Sequence, residues 1–505
     1  MLCINDLSFQ YTTSKKNNLN HISLDIQDGE IVLITGQSGS GKTTLLKHFK
    51  KELLPPGQRV GHIYYNGKDI LEIPSKVSSQ EIGYVFQNPD HQITLDYVYH
   101  EIAFGLENIG IPHEQMYSRV GEIVQYFHLE NIYDKRTNKL SGGEKQLVNL
   151  ASVMIMQPQV LLLDEPLSQL DPKSREQFIS MLMKLHHDFH ITIIMVTHQL
   201  DEIFDYIDRM IVLENGNIVY NDSLQQCISY LKDTEMMKIF PPYIQLLSLL
   251  NQPTDYTFYQ TREIVNILKS KTRTYEDHKE IIQVKHLNAS YDKDVLSDVS
   301  LMIKEKEIFC ILGNNGSGKS TFLKCLLNEM KYKGKISING KVGYLPQDPM
   351  LLMNRDTVKE ELAVFCKEDV DKLIHQFHFE DVFNSHPYDL SGGQQQILAL
   401  MKLILNDCDI LLLDEPTKGI DPLLKKQLGE TLEQLVQKGK TIICVSHDLE
   451  FCGEYGTYLT LLFHHRFSSI KRPIEFFRNN YFYTTQLSKL TRDNEFVISL
   501  KDVVF

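Results

Sequence analysis

Four segments occur twice in this chain, in the same order. Residues 31–44 read IVLITGQSGSGKTT and residues 308–321 read IFCILGNNGSGKST. KLSGGEKQ at 139–146 is answered by DLSGGQQQ at 389–396, and VLLLDEP at 160–166 by ILLLDEP at 410–416. VTH at 196–198 is answered by VSH at 445–447. Self-similarity on this scale means a duplicated domain. Copy one spans 1–222, copy two spans 279–463, residues 223–278 join them, and 464–505 form a tail. A length of 505 residues accommodates such a pair at about 100–200 residues per domain. Copy two is shorter between its landmarks, which predicts trimmed loops. In each copy, apolar β-rich runs (31–35, 160–163, 191–196; 308–312, 410–413, 441–445) alternate with helical patterns. That alternation predicts a mostly parallel sheet with helices on its faces.

The joining stretch holds Pro241-Pro242 and a balanced mix of acidic and basic side chains. It reads as partly helical rather than as a flexible tether. TREIVNIL at 261–268 and ISLKDVVF at 498–505 read as two short packing helices. The other reading of FVISLKDVVF is the opening strand of a third, truncated copy. A net charge of −13 without a basic block argues against general nucleic-acid binding. The eight cysteines are scattered, with no CxxC pair, so neither a zinc nor a redox motif is indicated and a reducing compartment is expected. MLCINDLSFQY lacks the pattern of a signal peptide. No run meets the roughly 20 apolar residues needed to span a bilayer, so a membrane role would require another chain.

Gly36, Gln37, Ser38, Gly39, Ser40, Gly41, Lys42 and Thr43, followed by Thr44, fit GxxxxGK[ST] after an apolar strand and before a helical pattern. Gly313, Asn314, Asn315, Gly316, Ser317, Gly318, Lys319 and Ser320, followed by Thr321, do the same. This is the context of a P-loop, in which backbone N–H groups and a helix N-terminus cradle phosphates. Lys42 and Lys319 would neutralise phosphate charge, and the Thr43 and Ser320 hydroxyls would face Mg²⁺. Asp164 and Asp414 end apolar strands at the sheet edge beside the P-loop, where a carboxylate can serve Mg²⁺. Glu165 and Glu415 follow directly and could polarise an attacking water; the plain alternative is an acid pair at a strand end. Ser141-Gly142-Gly143 and Ser391-Gly392-Gly393 each open a helix-like run, with glycines for close backbone approach and a helix N-terminus for phosphate. A second phosphate-binding element per copy makes sense if it serves the other copy's nucleotide.

With these motifs the sequence resembles the ATP-binding-cassette (ABC) ATPase family over essentially its whole length. The resemblance implies an α/β chain with two P-loop NTPase (ABC ATPase) domains in tandem. Each would have a mostly parallel sheet, an antiparallel β portion and a helical subdomain. It implies ATP and Mg²⁺ as ligands and ATP hydrolysis coupled to transport. Gln87 and Gln347 match the Q-loop, which touches Mg²⁺ or water. His198 and His447 match the histidine that contacts the γ-phosphate, and Asp171 and Asp421 match the D-loop. Tyr11 and Tyr291 match the aromatic that stacks on adenine, a contact worth ~1–3 kcal/mol. In the family two domains close head to tail. Lys42, Asp164 and Glu165 would then share one ATP with Ser391, and Lys319, Asp414 and Glu415 the other with Ser141. His186-His187 and His464-His465 have no partner motif and read as solvated.

VFQNPDHQIT at 85–94, EIAFGLEN at 101–108, PPYIQLL at 241–247 and EFFRNNYFYTTQLSKLTR at 475–492 resemble energy-coupling-factor (ECF) importer ATPases. These work on the cytoplasmic face of prokaryotic membranes. Their partners are a transmembrane coupling subunit and a membrane substrate-capturing subunit that bring in vitamins or metal ions. His464-His465 stands where that family usually has a turn with glycine. Two alternatives stand beside this reading. Tandem sugar-importer ATPases typically have a degenerate second P-loop and lack one catalytic glutamate, whereas Lys319, Glu165 and Glu415 are intact here. Soluble ribosome-acting tandem ATPases carry a basic helical linker to touch RNA, unlike the charge-balanced stretch here.

Overall fold

A computed structural model describes residues 2–12, 16–168, 170–198, 200–201, 203–255, 258–265, 269–271, 273–291, 293–481, 483–492 and 496–504. The chain divides into two compact units, Met1–Pro241 and Pro242–Phe505.

In the first unit the strand Ile31–Gly36 lies inside a six-stranded sheet, between Arg209–Glu214 and Thr192–Val196; Val160–Asp164 and Ile82–Val85 follow outward. All these neighbours pair in parallel, and Asn217–Ser223 adds an antiparallel edge. The core strands Ile31–Gly36, Val160–Asp164 and Thr192–Val196 are buried at every position, which is why they read as continuous apolar runs rather than alternating ones. A second, antiparallel sheet is built around Leu2–Tyr11, flanked by Leu19–Ile26 and Gly57–Tyr65. Its strands alternate buried and open positions, as one-sided packing requires. Helices Val98–Asn108, His113–Tyr126 and Gly142–Met154 form the helical part.

The second unit repeats the plan. Its parallel sheet runs Val342–Leu345, Ile410–Asp414, Thr441–Ser446, Ile308–Leu312, Tyr458–Phe463, with Arg466–Phe467 antiparallel at the edge. Its shortening is not confined to loops. The helices matching Val98–Asn108 and His113–Tyr126 are Val358–Leu362 and Lys367–Phe377, 5 and 11 residues against 11 and 14.

The stretch 223–278 is divided between the units. Helix Leu224–Leu231 packs on the edge strands of the first. Helices Pro242–Leu249 and Phe258–Ile264 pack in the second against Gln486–Leu490 of the tail. The last residues of the tail are not helical. Leu500–Asp502 make one 3₁₀ turn, and Val503–Val504 pair antiparallel with Lys269–Ser270. Arg273 fixes this arrangement, with its guanidinium on Asp502 Oδ1 (2.6 Å) and Oδ2 (2.9 Å) and on the Gly453 carbonyl (2.8 Å). Residues 266–268 and 505 of the two segments read as packing helices lie outside the described residues. His464 and His465, read as solvated, both sit at positive φ (45° and 66°) in a two-residue hairpin turn. Asn215-Gly216 fills the matching turn of copy one at φ 47° and 78°. A Cβ in this region costs roughly 1–2 kcal/mol, and His465 Nδ1 lies 3.1 Å from the Val295 carbonyl.

The copies also differ beneath the central strand. In copy one Glu30 pairs with Arg209 at 2.7 Å. In copy two Tyr458 takes the place of Arg209 in the sheet register, and the matching Glu307 is 2% exposed with Oε1 unpartnered among the described residues. Burial pushes its carboxyl up to about 7, with Arg472 and Lys304 pulling it down and Asp277 pushing it up. The folded state therefore holds a proton that the unfolded chain releases near pH 4.5. Stability from this group is fully present below pH 4.5 and is lost as pH rises through about 7. The loss is at most about 3 kcal/mol, from a shift of roughly 2.5 units at 1.36 kcal/mol each. Glu307→Gln should melt at a higher temperature than the parent at pH 8 and show little difference at pH 5. An equal difference at both pH values would remove the titration from Glu307.

Candidate functional site

In both units the loop after the central strand turns into a helix that begins at the P-loop lysine, Lys42–His48 and Lys319–Leu326. The residues that cap these helices, Gly41 (φ 102°) and Gly318 (φ 106°), are in the left-handed region. A Cβ on Gly41 would meet the Asn18 carbonyl at 2.6 Å, so only glycine lets the loop close here. Lys42 is 5% exposed, its Nζ donating to the carbonyls of Gly36 (3.0 Å) and Gln37 (2.8 Å). Lys319 does the same to Gly313 (2.7 Å) and Asn314 (3.1 Å). The Ser40 and Ser317 hydroxyls in these loops are buried without a hydrogen-bond partner among the described residues.

The strand neighbours supply the acids. The Thr43 hydroxyl donates to Asp164 Oδ1 at 2.9 Å. The Tyr84 hydroxyl donates to Asp164 Oδ2 at 2.9 Å, and Tyr344 to Asp414 Oδ2 at 3.4 Å. No family motif marks these tyrosines as site residues. The available signal is a tyrosine three residues before the Q-loop glutamine in both copies, YVFQ and YLPQ. Asp414 Oδ1 is buried without a hydrogen-bond partner among the described residues. Burial pushes both Asp164 and Asp414 above the usual carboxylate range. A cation beside them would reverse that penalty.

Glu165 and Glu415 occupy the left-handed region at φ 43° and 52°, which is costly for a residue with a side chain and characteristic of functional positions. Each is held there by its N–H on the strand alongside, to the carbonyls of Val196 (2.8 Å) and Val445 (2.9 Å). The Glu165 carboxylate accepts from Gln87 Nε2 at 2.9 Å and faces His198 Nε2 at 3.2 Å. The Glu415 carboxylate faces His447 Nδ1 at 2.8 Å and Lys319 Nζ at 3.5 Å. Burial pushes Glu415 up, but His447 and Lys319 outweigh it and hold the carboxyl below its ordinary value.

Thus Lys42, Thr43, Gln87, Asp164, Glu165 and His198 converge in one unit, and Lys319, Asp414, Glu415 and His447 in the other. Gln347 does not join its group. It is exposed and makes no side-chain hydrogen bond among the described residues. The Tyr11 hydroxyl lies 3.0 Å from Thr44 Oγ1, whereas Tyr291 is 62% exposed. Ser141 and Ser391 cap helices Gly142–Met154 and Gly392–Leu405, each in a reciprocal bond with the residue at 144 or 394. The second glycine of each motif is a close approach: a Cβ on Gly143 would meet Ser174 Oγ at 2.6 Å, and one on Gly393 the Gly419 carbonyl at 2.8 Å. Asp171 and Asp421 cap the helices that follow their loops.

The ABC transporter family matches residues 19–168 and 296–418, which together carry both P-loops and both acid pairs. The chain belongs to the ABC transporter ATPases. An ABC transporter ATP-binding protein of Bacillus thuringiensis is 38% identical over 97% of this chain and 95% of its own length. A Bacillus subtilis protein provisionally named as an HMP/thiamine import ATP-binding protein, YkoD, is 29% identical over 92% of this chain and 90% of its own length. Among solved structures, the archaeal ribosome recycling factor aABCE1, in complex with stalk protein aP1, superposes with a TM-score of 0.63 over 94% of this chain and 91% of that one. At 20% identity that likeness shows the tandem fold alone.

This ATPase has a further concavity in its first unit, of about 590 Å³, beside the Q-loop. Phe86, Gln92, Thr94, Glu101, Phe104 and Met156 line it. Of residues 87–92, Gln92 alone lines it. Glu101 braces the wall, accepting from the backbone N–H groups of Thr94 (2.9 Å) and Leu95 (2.8 Å). Among the described residues no helix is long and apolar enough to cross a membrane.

Proposed function

We propose that this chain is the ATP-hydrolysing subunit of an ECF-type importer of a vitamin or other micronutrient, peripheral at the cytoplasmic face of a prokaryotic membrane. The observation that carries the reading is the concavity of about 590 Å³ beside the Q-loop, where a transmembrane coupling subunit would dock: its lining includes Phe86, next to Gln87, which touches Glu165. Sequence likeness to a protein named for HMP/thiamine import supports the direction of transport and the substrate class. A membrane substrate-capturing subunit would supply selectivity.

Lys42 and Lys319 neutralise the phosphates of ATP, with the P-loop N–H groups around them. Glu165 and Glu415 accept the proton of the water that attacks the terminal phosphorus, as the bond to the bridging oxygen breaks. His198 and His447 orient that carboxylate. Thr43, Asp164, Ser320 and Asp414 are hard oxygen donors that suit Mg²⁺, with Gln87 at the rim of the copy-one set. Mg²⁺, when bound, lowers the negative charge on the terminal phosphates.

Phe104→Asp places a charge in the concavity 38% open to solvent at that residue. It should leave ATP binding by the isolated chain intact and lower co-purification of the transmembrane subunit and uptake in cells by at least ~10-fold, the cost of burying one unpaired charge. Normal assembly and uptake by this variant would remove the docking role from the concavity.

A further inference from the structure

The two nucleotide sites differ by an exchange of charge. After the acid pair, copy one reads Pro166-Leu167-Ser168 and copy two reads Pro416-Thr417-Lys418. After the Q-loop glutamine, copy one has Asn88 and copy two has Asp348. A neutral pair in one copy is thus an anion and a cation in the other. Local geometry is otherwise kept. The N–H groups of Ser168 and Lys418 donate to the carbonyls of Glu165 (3.2 Å) and Glu415 (3.1 Å). Asn88 and Asp348 both accept from the N–H two residues on, at 3.0 Å.

The side chains then part. Ser168 satisfies itself locally, its hydroxyl donating to the Glu165 carbonyl at 2.9 Å. Lys418 is half-buried and makes neither an ion pair nor a side-chain hydrogen bond among the described residues. Burial pulls its ammonium below the ordinary lysine range, against the fields of Glu415, Asp414 and Asp348. Of these acids Glu415 is already engaged, facing Lys319 and His447. A partly desolvated cation without a contacting anion is costly unless a ligand supplies one. The ligand class that brings anionic oxygens to this place is a nucleoside polyphosphate on the copy-two P-loop, whose own lysine is shared with Glu415.

Resting on the ATP-site reading above, we propose that Lys418 is a second phosphate-binding cation of the copy-two site, which therefore holds the terminal phosphates with two lysines where the copy-one site has one. The two sites are then inequivalent, and the copy-two site depends less on Mg²⁺ for affinity.

The test uses the full chain carrying Lys42→Ala, so that only the copy-two P-loop keeps its lysine, titrated with the fluorescent analogues mant-ATP and mant-ADP in EDTA. Adding Lys418→Ser, the residue of copy one, should weaken mant-ATP binding by about 10-fold, the scale of one charge-assisted contact, and mant-ADP binding by less. Lys418→Arg should restore affinity to within about 3-fold. In the Lys319→Ala chain, which reads copy one, Lys418→Ser should change nothing. Unchanged mant-ATP affinity, or equal losses for both analogues, would overturn the proposal by showing that Lys418 only braces its loop. If Lys319→Ala added to Lys42→Ala leaves binding unaltered, the ATP-site reading itself fails.

Discussion

Replacing Glu165 and Glu415 together by glutamine should slow steady-state ATP hydrolysis at least ~10²-fold, the usual worth of a positioned general base, while ATP binding survives. The structure explains why binding should persist. Glutamine at 165 keeps an oxygen to accept from Gln87, now 2.9 Å away, and keeps contact with His198. Glutamine at 415 removes the carboxylate that faces Lys319 at 3.5 Å, which frees that ammonium for phosphate and should tighten ATP binding at copy two. Neither substitution changes volume appreciably, and the backbone bonds to Val196 and Val445 do not involve the side chain. Phosphate release at saturating MgATP, beside equilibrium binding of ATP, measures both halves. Hydrolysis within 3-fold of the parent would take the general-base role away from these glutamates.

The parts of the fold that are legible in sequence are those in which one element carries its own pattern. The strands ending at Asp164 and Asp414 are buried throughout, so their apolar runs announce them. The Thr43–Asp164 bond follows from two motifs whose strands are neighbours but one in the sheet. Legibility ends where a contact joins distant residues of ordinary type. Tyr84 and Tyr344 sit among apolar strand residues and read as core, although their hydroxyls reach the acids. The Arg273–Asp502 pair spans 229 positions with no periodicity to mark it, and the strand it anchors therefore read as helix. Asn215-Gly216 is an obvious hairpin turn, whereas His464-His465 makes the same turn with residues that only tolerate it. Gln347 shows the converse: its motif predicts a site residue, and the side chain lies in solvent.

Removing both P-loop lysines, Lys42→Ala with Lys319→Ala, should abolish MgATPase activity to background and lower ATP affinity at each site by roughly 10–100-fold, the worth of about 1.5–3 kcal/mol for a hydrogen bond to a charged group. Each lysine is buried, 5% and 6% exposed, and each donates to two carbonyls of its own loop, Lys319 also facing Glu415 at 3.5 Å. A phosphate oxygen is a stronger partner for an ammonium than a neutral carbonyl, so ATP binding gains from both lysines. Both residues begin helices, where alanine is at least as good a helix former, and the melting temperature should change little. In copy two the alanine also takes the Lys319 ammonium away from Glu415, which should raise that carboxyl toward its ordinary range. The result is distinct from that of the glutamate pair. Lysine removal takes binding and hydrolysis together, whereas glutamine substitution takes hydrolysis alone. A lysine-free chain that still hydrolyses MgATP at the parent rate, with its melting temperature intact, would show that the phosphates are held elsewhere.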